Sequence, residues 1–349
     1  MENAPELSER ERAILDAVVY SYITSAEPVG SRTVVKRFGM DLSAATVRNV
    51  MADLEEMGYL QQLHTSSGRV PTDKGYRYYV SNLMQVQELT MTERQRIEQE
   101  FQQRLTDADD VLRQASHLLA LVSHHAGVAE SPGGDAAELV RLDLIYIGEN
   151  RLAVLVVDNF GRVKSMSVEL ASPITLEELT RMSRFLNDHL RGTPVDRLAA
   201  AVEEKLRGFL DEQRLLAQRS LEVLHLLPRR SQGQLFLEGA SQLFEQPEFQ
   251  QVGHARGVFN LIEGREHLME LLRRAALEGE SDRGTVIIGG EGGGGMEEMG
   301  MVASPYKVNN KTVGMIGVLG PKRMHYSRLL GAVEYTADLV GKFLTRLKA

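Results

Sequence analysis

The stretch that decides the fold runs from Pro28 to Tyr79 and reads PVGSRTVVKRFGMDLSAATVRNVMADLEEMGYLQQLHTSSGRVPTDKGYRYY. Near its middle, Ser43 is a suitable helix N-cap and Gly58 a suitable stop, so the residues between them are predicted to form a helix. Apolar residues recur there at intervals of three or four residues. They predict one buried stripe, formed by Val47, Val50, Met51, Leu54 and Met57.

The opposite stripe of this helix combines small residues with two side chains that can read bases. Ala45 and Ala52 allow the helix backbone to approach another surface closely, and Arg48 and Asn49 lie beside them. In the major groove of DNA, Arg pairs with guanine and Asn with adenine through two hydrogen bonds each. The pattern therefore predicts a recognition helix whose groove contacts come from Ala45, Thr46, Arg48 and Asn49.

A shorter helix is predicted directly before it. Ser31 is a candidate N-cap, Val34 and Phe38 lie on one side, and Gly39 ends the helix. Two helices joined by a turn of about four residues form a helix-turn-helix. The predicted phosphate contacts are Ser31, Arg32 and Ser43.

A β-hairpin is predicted after Gly58. A strand of sequence YLQQL, beginning at Tyr59, is followed by a tip rich in small hydrogen-bonding residues and then by Arg69. Attached to a helix-turn-helix, such a hairpin is typical of a wing that contacts phosphates or the minor groove. The predicted wing contacts are Ser66, Ser67, Gly68 and Arg69. A hairpin that binds nothing and a winged helix that contacts protein remain alternatives.

These blocks resemble the HrcA family, the bacterial heat-inducible transcription repressors. The similar segments are PVGSRT, LSAATVRNVMADLEEMGYL and HTSSGRVPTDKGYRYYV, together with Gly320 to Tyr326 (GPKRMHY), which is similar to that family's GPxRMxY block. The match is weaker between the two ends, but the order and length of the elements agree. The resemblance therefore spans essentially the whole chain.

Composition restricts the class of protein further. The chain has 349 residues, 43% of them hydrophobic and 25% charged, which is ordinary for a globular protein of two or three domains. The absence of cysteine excludes disulfides and thiolate metal sites, and suits a reducing cytoplasm. No apolar run is long enough to span a bilayer, so no membrane association is expected. The net charge is −8, yet four positive residues lie on the predicted helix-turn-helix: Arg32, Lys36, Arg37 and Arg48. Positive charge confined to the DNA-contacting part of an acidic protein is suited to site-specific DNA binding.

The segments before and after the predicted helix-turn-helix and wing are predicted to be helical. Ser8 and Glu11 form a capping box that opens a first helix, and Thr72 caps another that carries Tyr76, Tyr78 and Tyr79. These tyrosines are expected in the core, with base stacking on single strands as an alternative. From Met91 to about His125, a nearly heptad apolar pattern predicts one long amphipathic helix. It is either a connector between the DNA-binding part and the rest of the chain or a packed helix of a single domain. A loop is predicted from Ala126 to Ala137.

The remainder is predicted to be an interrupted α+β domain. Three strands between Leu139 and Leu170 and a helix ending at Leu190 begin a sheet. The strands that complete it are expected from Thr285 to Leu319, followed by a last helix. A mainly helical insertion from about Thr193 to Glu248 separates the two parts.

The fold class is therefore α+β and multidomain, with an N-terminal winged helix-turn-helix. The resemblance implies that the interrupted domain is GAF-like and that its insertion mediates dimerisation. The predicted domains are residues 1–88 (DNA-binding), 89–130 (connecting helix), 131–192 (GAF-like, first part), 193–248 (insertion) and 249–349 (GAF-like, second part).

One motif suggests a nucleotide site but lacks its context. Gly290 to Gly295 satisfies G-x-G-x-x-G after a predicted strand. A dinucleotide fold also needs a following helix and an acidic residue about twenty positions on, whereas Lys311 lies near that position. A flexible glycine-rich loop is favoured. The HrcA family usually has Asn directly after the residue equivalent to Glu291, whereas this sequence has Gly292.

No catalytic constellation is found, and neither an enzyme activity nor a cofactor or metal is expected. The histidines lack ligand spacing, and adjacent residues such as His124 and His125 point about 100° apart on a helix. Nucleophile-elbow, zinc-protease and P-loop motifs are absent. A small ligand in the GAF-like domain remains open.

The sequence thus predicts a cytoplasmic transcriptional repressor that binds double-stranded DNA as a homodimer and recognises an inverted repeat. The resemblance implies that the operator is the one called CIRCE, which lies ahead of chaperone genes. It also implies a chaperonin partner, GroEL, that keeps the repressor active until heat diverts the chaperonin to other clients. The alternatives are a ligand-sensing winged-helix regulator and an enzyme with a tethered winged domain.

Overall fold

A computed structural model describes residues 7–39, 41–63, 68–101, 105, 107–133, 136–148, 150–205, 211–227, 234–278 and 284–348. Among these residues the helices are α1 (Glu9–Ser25), α2 (Ser31–Phe38), α3 (Ala44–Glu56), α4 (Asp73–Tyr78), α5 (Met91–Glu100), α6 (Ala108–Ser123), α7 (Leu176–Leu190), α8 (Leu198–Lys205), α9 (Asp211–Leu226), α10 (Ala240–Phe244), α11 (Val252–Glu263), α12 (Arg265–Glu278) and α13 (Tyr326–Lys348). The strands are β1 (Leu60–Gln62), β2 (Arg69–Pro71), β3 (Ala126–Glu130), β4 (Leu139–Gly148), β5 (Arg151–Asp158), β6 (Val163–Glu169), β7 (Leu235–Glu238), β8 (Thr285–Ile288), β9 (Met299–Val308) and β10 (Lys311–Pro321). The mixed helix and sheet, multidomain fold class is confirmed.

Helices α1 to α4 and the β1–β2 hairpin form a winged helix-turn-helix, which we call the head. The predicted capping box opens α1, with the Glu11 carboxylate accepting from the Ser8 amide over 2.7 Å. Gly39 ends α2 with a left-handed φ of 58°, as expected. The predicted cap of α2 was wrong. Gly30 is its N-cap and Ser31 its first residue, with no side-chain cap, because glycine also tolerates the extended cap position.

The hairpin is anchored to the segment before α2. Strands β1 and β2 pair antiparallel, with Leu60 opposite Pro71. Val29 and Arg69 then exchange two backbone hydrogen bonds, of 2.9 and 3.0 Å. The wing base is therefore tied both to β1 and to the start of the helix-turn-helix.

The prediction of one long helix from Met91 to His125 was wrong. Helix α5 ends at Phe101, whose buried ring stacks on Phe343 of α13 with 5.3 Å between centroids. Helix α6 begins anew at Asp107, whose side chain accepts from the Asp110 amide over 2.9 Å. An Asp that caps a helix start competes with helix continuation, and this interrupts the apparent heptad pattern.

A five-stranded antiparallel sheet of order β7-β3-β10-β9-β8 forms the centre of the molecule. Helices α6 and α13 cover one face, and α11 and α12 pack against the other. We call this assembly the five-stranded unit. Its strand β3 occupies residues predicted as a loop. A Cβ on Gly127 would lie 1.9 Å from the Ser116 carbonyl oxygen, so only glycine lets this buried strand lie so close to α6.

Strands β4, β5 and β6 form a separate sheet, so the prediction that they share one with the later strands was wrong. Consecutive hairpins pair β4 with β5 and β5 with β6, whereas β10 pairs with β3. The three strands and helices α7 to α9 bury their own core. We call them the inserted unit. The chain leaves the five-stranded sheet after β3 and returns with β7, so the predicted boundary at residue 193 lies inside this unit.

No helix among the described residues is long and apolar enough to cross a membrane.

Candidate nucleic-acid interface

Helix α3 is built as an amphipathic element. Val47, Met51 and Leu54 are buried against the rest of the head, while Arg48 and Asn49 are exposed. Their side chains make no hydrogen bond or ion pair with any residue that the structure describes. Two hydrogen-bonding side chains are thus presented to solvent on an anchored helix, which is the geometry that base reading requires.

The residues flanking this pair support close approach. Ala45 is exposed and Thr46 half-buried, on the side of α3 that faces solvent. The Ser43 hydroxyl accepts from the Thr46 amide over 3.0 Å and lies 2.9 Å from the Thr46 hydroxyl. Ser43 therefore caps α3 as predicted. Its oxygen remains exposed at the helix N-terminus, where backbone amides favour an anion.

Positive charge lies on the neighbouring helix α2. Arg32, Lys36 and Arg37 are exposed there, and Ser31 is half-buried in the first turn. The Arg37 guanidinium lies over the Tyr20 ring, 5.6 Å from its centroid. Cations beside a base-reading helix supply the sequence-independent part of DNA affinity.

The wing is described only in part. Ser66 and Ser67 lie outside the described residues, and Gly68 and Arg69 lie at the wing base. The Arg69 Nε donates to the Glu55 carboxylate on α3 over 2.8 Å, and the Arg69 side chain is only 16% exposed. Sequence reasoning missed this pairing, because Glu55 carries no local signal that selects it as a partner. Arg69 holds the wing against α3.

The tyrosines after the wing belong to the core, as predicted. Tyr76 and Tyr79 are buried, and burial raises the pKa of the Tyr79 hydroxyl to about 12. The half-buried Tyr78 packs edge-on against Tyr59. Buried rings are not available for stacking on bases.

The glycine-rich segment lacks the geometry of a dinucleotide site. Gly289–Gly292 form a short 3₁₀ turn after β8, and the next element is strand β9 rather than a helix. Without a helix N-terminus, the turn cannot hold a pyrophosphate in the way that a dinucleotide fold does.

The chain is similar to known proteins over nearly its whole length. The family described as HrcA protein C terminal domain matches residues 109–330. A protein named heat-inducible transcription repressor HrcA from Geobacter sulfurreducens is 39% identical over 340 residues, which cover 97% of this chain and 98% of that protein. Its namesake from Syntrophobacter fumaroxidans is 37% identical over 345 residues, covering 97% and 98%. A crystal structure described as a hypothetical protein superposes with a TM-score of 0.64 at 25% identity, covering 98% of this chain and all of that one. The chain therefore belongs to the HrcA family of heat-inducible transcription repressors.

Proposed function

We propose that this protein represses chaperone genes by binding an inverted-repeat operator as a homodimer, with one α3 helix in the major groove of each half-site. The observation that carries the proposal is the exposed pair Arg48 and Asn49 on a helix whose other face is anchored in the head. One winged helix contacts few base pairs, and a two-fold dimer doubles them.

Each predicted site residue has a role in this proposal. Arg48 and Asn49 read base edges, with Ala45 and Thr46 allowing close approach. Ser31, Arg32 and Ser43 contact phosphates. Ser66, Ser67 and Gly68 form the wing contact, and Arg69 orients the wing through Glu55.

The inserted unit offers a surface for the dimer. Ile145 and Ile147 on the edge strand β4 are 44% and 51% exposed, and Val163 on β6 is 61% exposed. An edge strand with exposed apolar side chains favours pairing with another copy. We propose the inserted unit as the principal dimer contact, the head as the DNA-binding domain and the five-stranded unit as the connection between them.

The switch that we propose is thermal. Membership of the HrcA family supports a CIRCE-type operator and the GroEL chaperonin as the partner that maintains the active form. Heat-unfolded clients then occupy the chaperonin and leave the repressor inactive. A marginally stable fold is sufficient for such a switch.

Binding of the purified protein to a CIRCE-type inverted repeat and to a scrambled duplex tests the proposal. Measurements at moderate salt are made before and after a brief heat step, with and without chaperonin. Specific binding that is lost on heating and restored by chaperonin supports the whole proposal. Specific binding that is unaffected by the heat step and by chaperonin is consistent with the DNA-binding role but overturns the thermal switch. Equal binding to the inverted repeat and the scrambled duplex overturns the operator assignment.

A further inference from the structure

The head is held against the five-stranded unit by ion pairs at the glycine-rich turn. Arg77 on α4 donates from Nε to the Glu291 carboxylate over 2.7 Å, and its Nη2 bonds the other carboxylate oxygen. The same Nη2 donates to the Val286 carbonyl oxygen over 2.7 Å. One arginine of the head is therefore bound both to β8, at Val286, and to the turn that follows it, at Glu291.

A second pair lies at the N-terminus of α4. The Asp73 carboxylate accepts from the Gly290 amide over 3.1 Å and from the Lys322 Nζ over 2.9 Å. Lys322 also lies 3.6 Å from Glu298. Gly289 has a φ of +53°, and a Cβ there would lie 2.1 Å from the Asp73 carboxylate. The glycines thus allow the turn to approach the head closely.

The contact continues beyond these pairs. Arg323 donates to the carbonyl oxygen of Ile23 at the end of α1 over 3.3 Å and pairs with Glu248 of the five-stranded unit. Tyr76 packs on Tyr326. The hydrophobic core of the head is continuous with the layer between the five-stranded sheet and α13. The head and the five-stranded unit therefore share ion pairs, an aromatic contact and a continuous hydrophobic core.

The contact leaves the reading surface exposed. Arg48 and Asn49 face solvent, whereas Asp73 and Arg77 lie on a different helix, α4. The contact therefore does not block DNA. It fixes the direction in which α3 points.

We propose that Asp73, Arg77, Glu291 and Lys322, which we call the clamp, are positioning residues that set which half-site spacing the dimer accepts. This inference rests on the proposed function. Half-sites of an inverted repeat must lie on one face of the duplex, so two heads at a fixed angle match one spacing. The Arg77 and Glu291 side chains are 36% and 38% exposed, so each pair is individually weak and the effect belongs to the network.

The test uses the full-length double variant Glu291→Gln/Lys322→Gln, whose changes lie outside the head and leave net charge unchanged. The matched control is Glu297→Gln/Lys311→Gln, at two exposed positions. Affinity is measured for a single half-site, for the repeat at its native spacing, and for repeats whose spacer is lengthened by up to about five base pairs, half a helical turn. Circular dichroism compares thermal unfolding.

We expect the clamp variant to bind the half-site within about twofold of wild type. The ratio of its affinity for the natively spaced repeat to its affinity for the repeat lengthened by half a turn should fall by about tenfold. The control should keep the wild-type dependence of affinity on spacer length. Arg77→Gln, from the head side, should reproduce the change, and Lys322→Arg should not. An unchanged spacing profile would overturn the clamp, as would an equal loss on the single half-site. Wild-type protein that does not distinguish the repeat from scrambled DNA would instead overturn the proposed function.

Discussion

The Tyr76 ring of the head lies edge-on to the Tyr326 ring of α13, with 6.2 Å between centroids and 68° between the ring planes. Both side chains are almost fully buried. Burial raises the pKa of both hydroxyls well above the usual value of 10.0. The two recognisable sequence blocks, KGYRYY and GPKRMHY, therefore meet in one interface between the head and the five-stranded unit.

Arg48→Ala should weaken specific binding by about 1–3 kcal/mol and relax base preference at one position of each half-site. The reason is the loss of a two-bond contact to a base edge. Anisotropy titrations against operators substituted one base pair at a time measure it. Arg32→Ala is the control, because loss of a phosphate contact weakens binding to every sequence and lowers the salt dependence. An Arg48→Ala loss that is equal on random DNA contradicts base reading.

Ser43→Ala should lower the free energy of unfolding of the head by about 1 kcal/mol, because the Thr46 amide loses its cap. Ser43→Asp keeps the cap and should therefore keep the stability. It also places a negative charge where we expect a phosphate, so DNA affinity should fall. Urea denaturation and operator titration separate the two effects. Undiminished operator binding by Ser43→Asp would remove Ser43 from the phosphate contacts.

Ile145→Lys/Ile147→Lys should shift the protein from dimer towards monomer, since two charges on an exposed edge strand oppose pairing with a second copy. Light scattering coupled to gel filtration measures the mass across a dilution series. Leu176→Lys, at a 67% exposed position on α7, is the control. A double variant as dimeric as the control would place the interface elsewhere.

Phe160→Ala should lower the free energy of unfolding by about 3–5 kcal/mol. Phe160 lies in the β5–β6 turn of the inserted unit, yet its ring is fully buried in the hydrophobic core that the head shares with α6, α13 and the five-stranded sheet. The turn is fixed by Asp158, which accepts from the Arg162 Nε over 2.7 Å. Ser165→Ala, at an exposed position on β6, should change stability by less than about 0.5 kcal/mol. Chemical denaturation of both variants measures the difference, and similar values would contradict this packing.

Acid should destabilise the protein through His125. Burial, with Arg323 as a nearby positive charge, lowers the pKa of His125 from its usual 6.5 to about 4. Between these values the unfolded chain binds a proton that the folded chain does not, so stability falls as pH falls and is unaffected by this group above 6.5. At pH values well below 4 this contribution is on the order of 3 kcal/mol.

His125→Gln should therefore flatten the dependence of unfolding free energy on pH between about 4 and 6.5. The exposed His117→Gln serves as control and should keep the wild-type slope. Equal slopes for all three proteins would show that His125 titrates alike in the folded and unfolded chains.

Local signals in the sequence predicted the head well. The caps at Ser8, Ser43 and Thr72 and the glycine stop at Gly39 are all present. The buried stripe of α3 also follows its spacing. These features depend on hydrogen bonds and side-chain directions within one helical turn, so neighbouring residues carry the information.

Predictions failed where elements pair over long distances. The connecting helix breaks because Asp107 caps a new helix and Phe101 finds its partner on α13. Strand β3 was missed because its small residues gain a strand conformation only between β7 and β10. A hydrophobic pattern shows that a strand is buried, but not against which other strand.

The sequence by itself determined the winged helix-turn-helix, its exposed Arg48 and Asn49, and the family, because caps, periodicity and motifs are local. Only the tertiary structure decided that Arg69 pairs with Glu55, that the sheets are separate and that the glycine-rich turn holds the head through Asp73 and Arg77. Ion pairs and strand pairing depend on which surfaces the folded chain brings together, and no local pattern specifies that partner.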